Sequence, residues 1–129
     1  MSGMPQNLFG PSTVVNYGAQ GTGVNLYSEV FDLTDATSFA LRLRVYGILA
    51  NTDITVQLET ANDPLGADWE DLGSAATRDS AGCTEVYTGN SSGYEFAAFG
   101  RAKITVARDG AAGTGDYGGT FQAACMTRE

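Results

Sequence analysis

The amino-acid sequence predicts an all-β chain: a single antiparallel β-sandwich or jelly roll of about seven or eight strands with an extended N-terminal arm. Apolar and polar residues alternate with a period of two through much of the 129-residue chain, as they do in half-buried strands. No window combines helical apolar spacing with a cap at one end and a glycine stop at the other, so helices are not expected. The 17 glycines, with many Asn, Asp, Ser and Thr residues, supply turns between the strands.

The N-terminal segment, residues 1–23, is rich in Gly, Pro, Ser, Asn and Gln, and only Thr13, Val14 and Val15 look strand-like. The sequence therefore predicts an arm over residues 1–23 and a sandwich domain over residues 24–129. Twelve extended residues span roughly 40 Å, whereas a compact chain of this length has a radius of gyration of about 14 Å. Such an arm could reach a neighbouring molecule, and otherwise it docks on its own domain.

Four strands are predicted by strict alternation, over residues 39–46, 54–59, 102–107 and 121–126. Weaker strands are expected over residues 24–33, 83–88 and 94–99, and a glycine-rich contact loop is expected over residues 110–119. Inward-facing positions of the strands, together with the single tryptophan, form the predicted core: Phe39, Leu41, Leu43, Val45, Ile54, Val56, Leu58, Trp69, Ile104 and Val106.

Charge and composition limit the classes of function that the chain can have. Seven Lys and Arg residues against 15 Asp and Glu residues give a net charge of −8, which disfavours nucleic acid as a partner. The chain has no histidine, which excludes a Ser-His-Asp triad, a Cys-His pair and a histidine-based zinc site. No apolar run is long enough to span a membrane, so no membrane partner is expected. These features favour a binding or structural role over catalysis, with no cofactor and no metal.

The two cysteines, Cys83 and Cys125, lie 42 residues apart and leave two interpretations open. Isolated cysteines are usually small core residues, which favours two buried free thiols. The alternative is a disulfide between them, which would indicate an oxidising environment.

The most informative segment is residues 54–73, ITVQLETANDPLGADWEDLG, which predicts a hairpin with a polar turn. Trp69 is interpreted as a buried tryptophan that closes this hairpin, with an exposed stacking platform for a sugar as the alternative. Acidic residues cluster around the turn, and they are either solvated carboxylates or oxygen ligands for Ca²⁺: Asp63, Asp68, Glu70 and Asp71.

The same segment resembles a hairpin of β-sandwich proteins in tailed-phage virions, including capsid decoration and head-stabilising proteins. The pattern is V-x-L-E, then S/T-x-N/D and W-x-D-L, and a longer turn, Asp63-Pro64-Leu65-Gly66, replaces the usual D-G turn. The segment is also similar to part of the discoidin-type carbohydrate-binding sandwiches. The matching residues are Val56, Leu58, Glu59, Asn62, Asp63, Trp69, Asp71 and Leu72.

The resemblance implies a non-enzymatic virion protein that binds and stabilises a phage capsid after assembly in the host cytoplasm. Its partners would be the major capsid protein or other virion subunits, and copies of itself in a homo-oligomer. We expect the arm to anchor the protein, by strand addition to a neighbouring sheet or by side-chain contacts. The candidate assembly contacts are Leu8, Phe9, Val14, Val15 and Tyr17 in the arm and Tyr117 in the late loop.

Two other functions fit the sequence. A carbohydrate-binding adhesive module would need coplanar exposed aromatic rings, and an extracellular filament subunit would insert its arm into the next copy. The candidate rings are Tyr27, Tyr46, Trp69, Tyr87, Tyr94 and Tyr117.

Basic residues lie on the polar face of two predicted strands, Arg42 and Arg44 on one and Arg101 and Lys103 on the other. If the strands share a sheet, the four side chains lie side by side. They either pair with carboxylates on neighbouring strands or form a basic stripe that receives an acidic neighbour in an assembly.

Overall fold

The computed structural model describes residues 3–16, 23–34, 36–89, 96–108 and 116–128, which contain ten strands and no helix. None of the residues in these ranges forms a helix that could cross a membrane. The strands are β1 (Gly3–Asn16), β2 (Gly23–Tyr27), β3 (Phe31–Asp32), β4 (Ser38–Ile48), β5 (Thr52–Ala61), β6 (Glu70–Asp71), β7 (Ala76–Arg78), β8 (Gly82–Gly89), β9 (Phe99–Arg108) and β10 (Tyr117–Arg128).

The strands form two antiparallel sheets that pack face to face. Sheet A has the order β1-β10-β4-β8, and sheet B has the order β2-β9-β5-β6, with β3 also paired to β9 and β7 also paired to β5. The pairs β2/β3 and β6/β7 each act as one interrupted strand, because both members of a pair bond to the same neighbour. Counted as eight strands, the sheets read 1-8-3-6 and 2-7-4-5, which is a jelly roll. The all-β prediction is therefore confirmed, and the interruptions account for the two additional strands.

The four strands predicted by alternation correspond to β4, β5, β9 and β10, which occupy the centres of the two sheets. Their inward side chains fill the space between the sheets, and nine of the ten predicted core residues are at most 2% exposed. Phe121 and Leu72 also lie in this core. The rings of Phe9 and Phe121 pack in a T-shaped arrangement with 6.3 Å between the ring centres.

Trp69 is the predicted core residue that the structure places elsewhere. It is half-buried on the outer side of sheet B, and the guanidinium carbon of Arg101 lies 4.4 Å from the centre of its ring. The hairpin itself is present, because Thr60 of β5 pairs with Glu70 of β6. Trp69 and Leu72 flank β6 and point to opposite sides of sheet B. The indole of Trp69 lies on the outer side, whereas the Leu72 side chain points inward and is buried.

Residues 3–16 of the predicted arm form β1 and pair with β10 of the same chain from Gly3↔Arg128 to Asn16↔Tyr117, which is the docked alternative. The sandwich therefore begins at β1 rather than at residue 24. Two register shifts and the prolines Pro5 and Pro11 break the alternation of β1. Proline lacks a backbone N–H and is tolerated because β1 is an edge strand.

The late loop is shorter than predicted at its C-terminal end, because Tyr117, Gly118 and Gly119 already belong to β10. The Tyr117 ring is fully buried, and the guanidinium carbon of Arg108 lies 5.0 Å from the ring centre. Tyr117, predicted as an assembly contact in the late loop, therefore presents no exposed ring on this chain. Residues 110–115 lie outside the described ranges.

Candidate functional site

The predicted assembly contacts do not form one exposed surface among the described residues. Leu8 is buried, and Phe9 and Val14 are half-buried against the core. Val15 is 39% exposed. Tyr17 lies outside the described residues. Because β1 is part of the sandwich, contacts with other molecules must come from sheet faces, strand edges and turns.

Side chains on the outer face of sheet B bind one another in a cluster around Arg101. Arg101 lies between two aromatic rings, with its guanidinium carbon 4.3 Å from the ring centre of Tyr27 and 4.4 Å from that of Trp69. Arg101 Nε also donates to Glu59 Oε1 at 2.8 Å, and Lys103 Nζ lies 3.9 Å from Glu59 Oε2. Each of the two rings therefore already stacks on the arginine, which counts against this pair as a sugar platform.

This cluster predicts an effect on stability. The Glu59 side chain is only 9% exposed, so Glu59→Gln leaves Arg101 beside a neutral partner in a mostly dry site. We expect the free energy of unfolding to fall by roughly 1–2 kcal/mol, less than for a fully buried pair because Arg101 is partly hydrated. Urea unfolding of Glu59→Gln measures this loss. Asp71→Asn, which changes the exposed residue opposite Glu59, is the control, and equal urea midpoints for the two variants would refute the stabilising role of Glu59.

The outer face of sheet A carries three arginines against one glutamate. Arg42 lies opposite Glu85, and its Nε donates to Cys83 Sγ at 3.0 Å. The Arg44 guanidinium carbon lies 5.3 Å from the Tyr46 ring centre. Within the described ranges, Arg42, Arg44 and Arg128 form no ion pair with a carboxylate. Their charges are therefore available to an acidic partner.

The two predicted basic pairs do not lie side by side, because β4 belongs to sheet A and β9 to sheet B. Arg42 and Arg44 project from one outer face, while Arg101 and Lys103 project from the other and share Glu59. Pairing with a carboxylate is observed for Arg101 and Lys103, while an acidic neighbour for Arg42 and Arg44 stays a prediction. Carboxylate pairing describes β9, and an unpaired basic surface describes β4.

Two shallow hollows lie next to each other on the arginine-bearing face. One, of about 110 Å³, is lined by Arg42, Arg44, Gln122 and Ala124. The other, of about 220 Å³, is bordered by Tyr87 and Met126, which are 69% and 42% exposed. We call the exposed surface around them the arginine face, made by Ala40, Arg42, Arg44, Glu85, Tyr87, Ala124, Met126 and Arg128.

The β5–β6 turn is acidic and has a defined shape. Asp63 Oδ1 accepts the Leu65 N–H at 3.0 Å, and the Asp63 carbonyl accepts the Gly66 N–H at 3.1 Å. The Leu65 side chain is 95% exposed at the apex of the turn. In the described part of the chain, no group of three Asp, Glu, His or Cys side chains is placed to hold a metal ion. We call residues 62–71 the acidic tip.

The two cysteines are free thiols on opposite faces of sheet A. Cys125 is buried in the core, whereas Cys83 is exposed on β8, so the prediction of two buried thiols is correct for Cys125 alone. A disulfide is not formed. Burial raises the pKa of the Cys125 thiol to about 12. The unfolded thiol ionises near pH 8.5, so Cys125 stabilises the fold below that pH and progressively less as the pH rises toward 12.

Thiol labelling tests this arrangement. In native buffer at pH 8, an aromatic disulfide reagent should modify one thiol per chain quickly, and the second should react only in denaturant. Cys83→Ser should abolish the fast phase and Cys125→Ser the slow one. Two fast phases, or no thiol in denatured unreduced protein, would contradict the burial and the free state described above.

No family model matches the sequence, and no curated protein matches it. Solved structures do match the fold. Two structures of infectious bursal disease virus, of its Gx strain and of its VP2 subviral particle, both align with a TM-score of 0.63 over 98% of this chain, at 9% and 11% identity. The Gt strain structure aligns with a TM-score of 0.59.

The fold is similar to that of a viral capsid protein. This chain spans 32% of the length of the virus chains that it matches. At such low identity the likeness concerns the sandwich alone, and no site residue is carried across from it.

Sequence reasoning named Tyr87 only as a candidate sugar-stacking ring, and it missed Met126 and Leu65 as surface features. Tyr87 of β8 and Met126 of β10 occupy outward-facing positions, where the alternating pattern predicts a polar side chain. Leu65 is an apolar residue inside a turn of carboxylates. Large apolar residues at positions that the pattern assigns to solvent are the signal that could have identified them.

Proposed function

We propose that this chain is a non-enzymatic structural component of a viral particle, and more specifically a decoration or head-stabilising protein of a tailed-phage capsid. The observation that carries the proposal is the likeness of nearly the whole chain to a viral capsid sandwich. The hairpin at residues 54–73, which resembles those of tailed-phage virion proteins, supports the narrower assignment. In this role the protein acts in the virion, on the major capsid protein or other virion subunits.

The mechanism would be mechanical. A rigid sandwich offers flat sheet faces and defined turns, and many weak contacts repeated over a lattice add to a stable attachment because each later contact is effectively intramolecular. The arginine face and the acidic tip supply charge of opposite sign on one body. Attachment is then expected through these surfaces rather than through a free arm, since β1 is bound to β10.

Removal and restoration of the chain test this role. Particles stripped of the protein should release their genome at a lower temperature, and adding back the purified chain should restore the original temperature and saturate at a fixed number of copies. The fluorescence of a DNA-binding dye during heating reports genome release. A chain that never sediments with particles, or binds without saturation, would refute the proposal.

The carbohydrate-binding alternative has one observation in its favour, the tyrosines Tyr46 and Tyr87 on the outer face of sheet A, which are 47% and 69% exposed. A glycan array separates the two functions. Specific binding that Tyr87→Ala abolishes while the fold is intact would support the alternative, whereas a decoration protein requires no glycan.

A further inference from the structure

We propose that two copies of this chain associate head to tail, with the acidic tip of one copy seated on the arginine face of the next. Leu65 enters the hollow between Tyr87 and Met126, and carboxylates of the tip bind Arg42 and Arg128. The contact uses the same two surfaces as the attachment proposed above, and its test uses the purified chain alone, so that its failure is distinguishable from failure of the virion role.

The first observation is charge complementarity. Residues 62–71 contain four acidic residues and no basic one, in a chain whose net charge is −8. The arginine face is the opposite, with three arginines, no ion pair within the described ranges and one glutamate. Elsewhere the basic side chains are engaged: Arg101 and Lys103 lie against Glu59, and Arg78 donates to backbone oxygens of the β7–β8 turn. The arginine face is therefore the surface of this acidic protein that best fits an acidic segment.

The second observation is apolar complementarity at the centre of both surfaces. Leu65 is 95% exposed within the acidic tip, and the hollow beside Ala40 is lined by exposed Tyr87 and Met126 together with Arg128 and Glu85. Protein interfaces commonly have an apolar centre with a polar rim, and tyrosine, methionine and arginine are enriched in them. An apolar apex within an acidic segment thus matches a hollow that has apolar walls and lies on a face with three arginines.

The third observation is that the tip is preformed. The two hydrogen bonds of the Asp63 turn fix the backbone on both sides of Leu65, so little conformational entropy is lost when the tip binds. The receiving face is a sheet, in which β4 is bonded to both β8 and β10. Binding therefore requires no refolding of either surface.

The contact must form between copies. The acidic tip extends from sheet B, and the arginine face is the outer side of sheet A, which points away from sheet B. Because the two surfaces differ, the interface is heterologous, and repetition gives a ring if the rotation closes and a filament if it does not. A tip in a shallow hollow buries little area, so the affinity of one contact should be on the order of 0.1–1 mM.

Sedimentation velocity and ¹⁵N NMR from about 20 μM to 1 mM in low salt test the contact. The wild type should associate as concentration rises, and salt should weaken the association because the charges are exposed. Leu65→Ser and Arg42→Glu should each weaken it by at least about tenfold, the effect of losing one central contact. Leu49→Ser, which changes an exposed leucine outside both surfaces, should associate like the wild type.

Mixing the two variants gives the decisive result. The Leu65→Ser chain keeps an intact arginine face and the Arg42→Glu chain keeps an intact tip, so an equimolar mixture should form one wild-type contact and stop at a dimer. An interface between identical patches would not be restored in this way. Tyr87→Ala replaces Arg42→Glu if circular dichroism shows that the latter is unfolded. A monomeric wild type at 1 mM, unaffected variants, or a mixture that stays monomeric would overturn the proposal.

Discussion

Phe121→Ala should lower the free energy of unfolding by about 3–5 kcal/mol, the largest effect that we expect from one substitution in this chain. Phe121 is fully buried in β10, which lies between β1 and β4, and its ring packs against that of Phe9. Truncation removes buried apolar surface and leaves a cavity that touches both sheets. Because a domain of this size is stable by only about 5–15 kcal/mol, the variant should lose a large part of its stability.

Urea unfolding monitored by tryptophan fluorescence and circular dichroism measures this loss. The control is Met126→Ala, which also truncates a large side chain of β10 but on the outer face, where the loss should stay within roughly 0.5 kcal/mol. Similar losses of unfolding free energy for the two variants would show that the inward-facing and outward-facing residues of β10 are assigned wrongly.

Gly118→Ala should detach β1 from β10 and cost more than about 2 kcal/mol. Gly118 has a φ of 152°, and a Cβ there would lie 2.7 Å from the Cα of Val15 and still closer to the carbonyl oxygen of Val14. Both contacts are with backbone, which cannot turn aside as a flexible side chain could. The strand pairing next to Gly118 must therefore open, and protection of β1 amides from hydrogen exchange should fall first.

Gly10→Ala is the matched control within β1. A Cβ at Gly10 would meet nothing within 4 Å, so the substitution should leave amide protection and the urea midpoint almost unchanged. Equally low protection of β1 in the wild type and in Gly118→Ala would mean that β1 is not held by β10. In that case the arm would not be docked on its own domain.

Alternation predicted the centre of the fold because burial of one sheet face imposes a period of two. In β4, for example, Leu41 and Leu43 are buried while Arg42 and Arg44 are exposed. Strand order could not be predicted in this way, because alternation shows which side of a strand is buried but not which strand lies beside it. The sequence therefore left sandwich and jelly roll open, and only long-range pairings such as β1 with β10 decide between them.

Local composition misled where distant residues determine burial. Tyr117 follows a glycine-rich run that is typical of a loop, yet its ring is buried beside Arg108. Trp69 is large enough to be core, yet Arg101 on β9 covers it on the outer face. The unpaired basic surface was proposed from the sequence, but Tyr87 and Met126 lie on either side of Ala40 only because β8 and β10 both pair with β4, which no local pattern shows.

The central claim, that this jelly roll is a repeated structural component of a viral particle, is tested most directly by cryo-electron microscopy of native particles at near-atomic resolution. Sandwich density should appear at symmetry-related positions of the capsid, fitted by this fold with β1 on its own β10. Particles whose capsid density is fully explained by other chains, with no position for this sandwich, would contradict it.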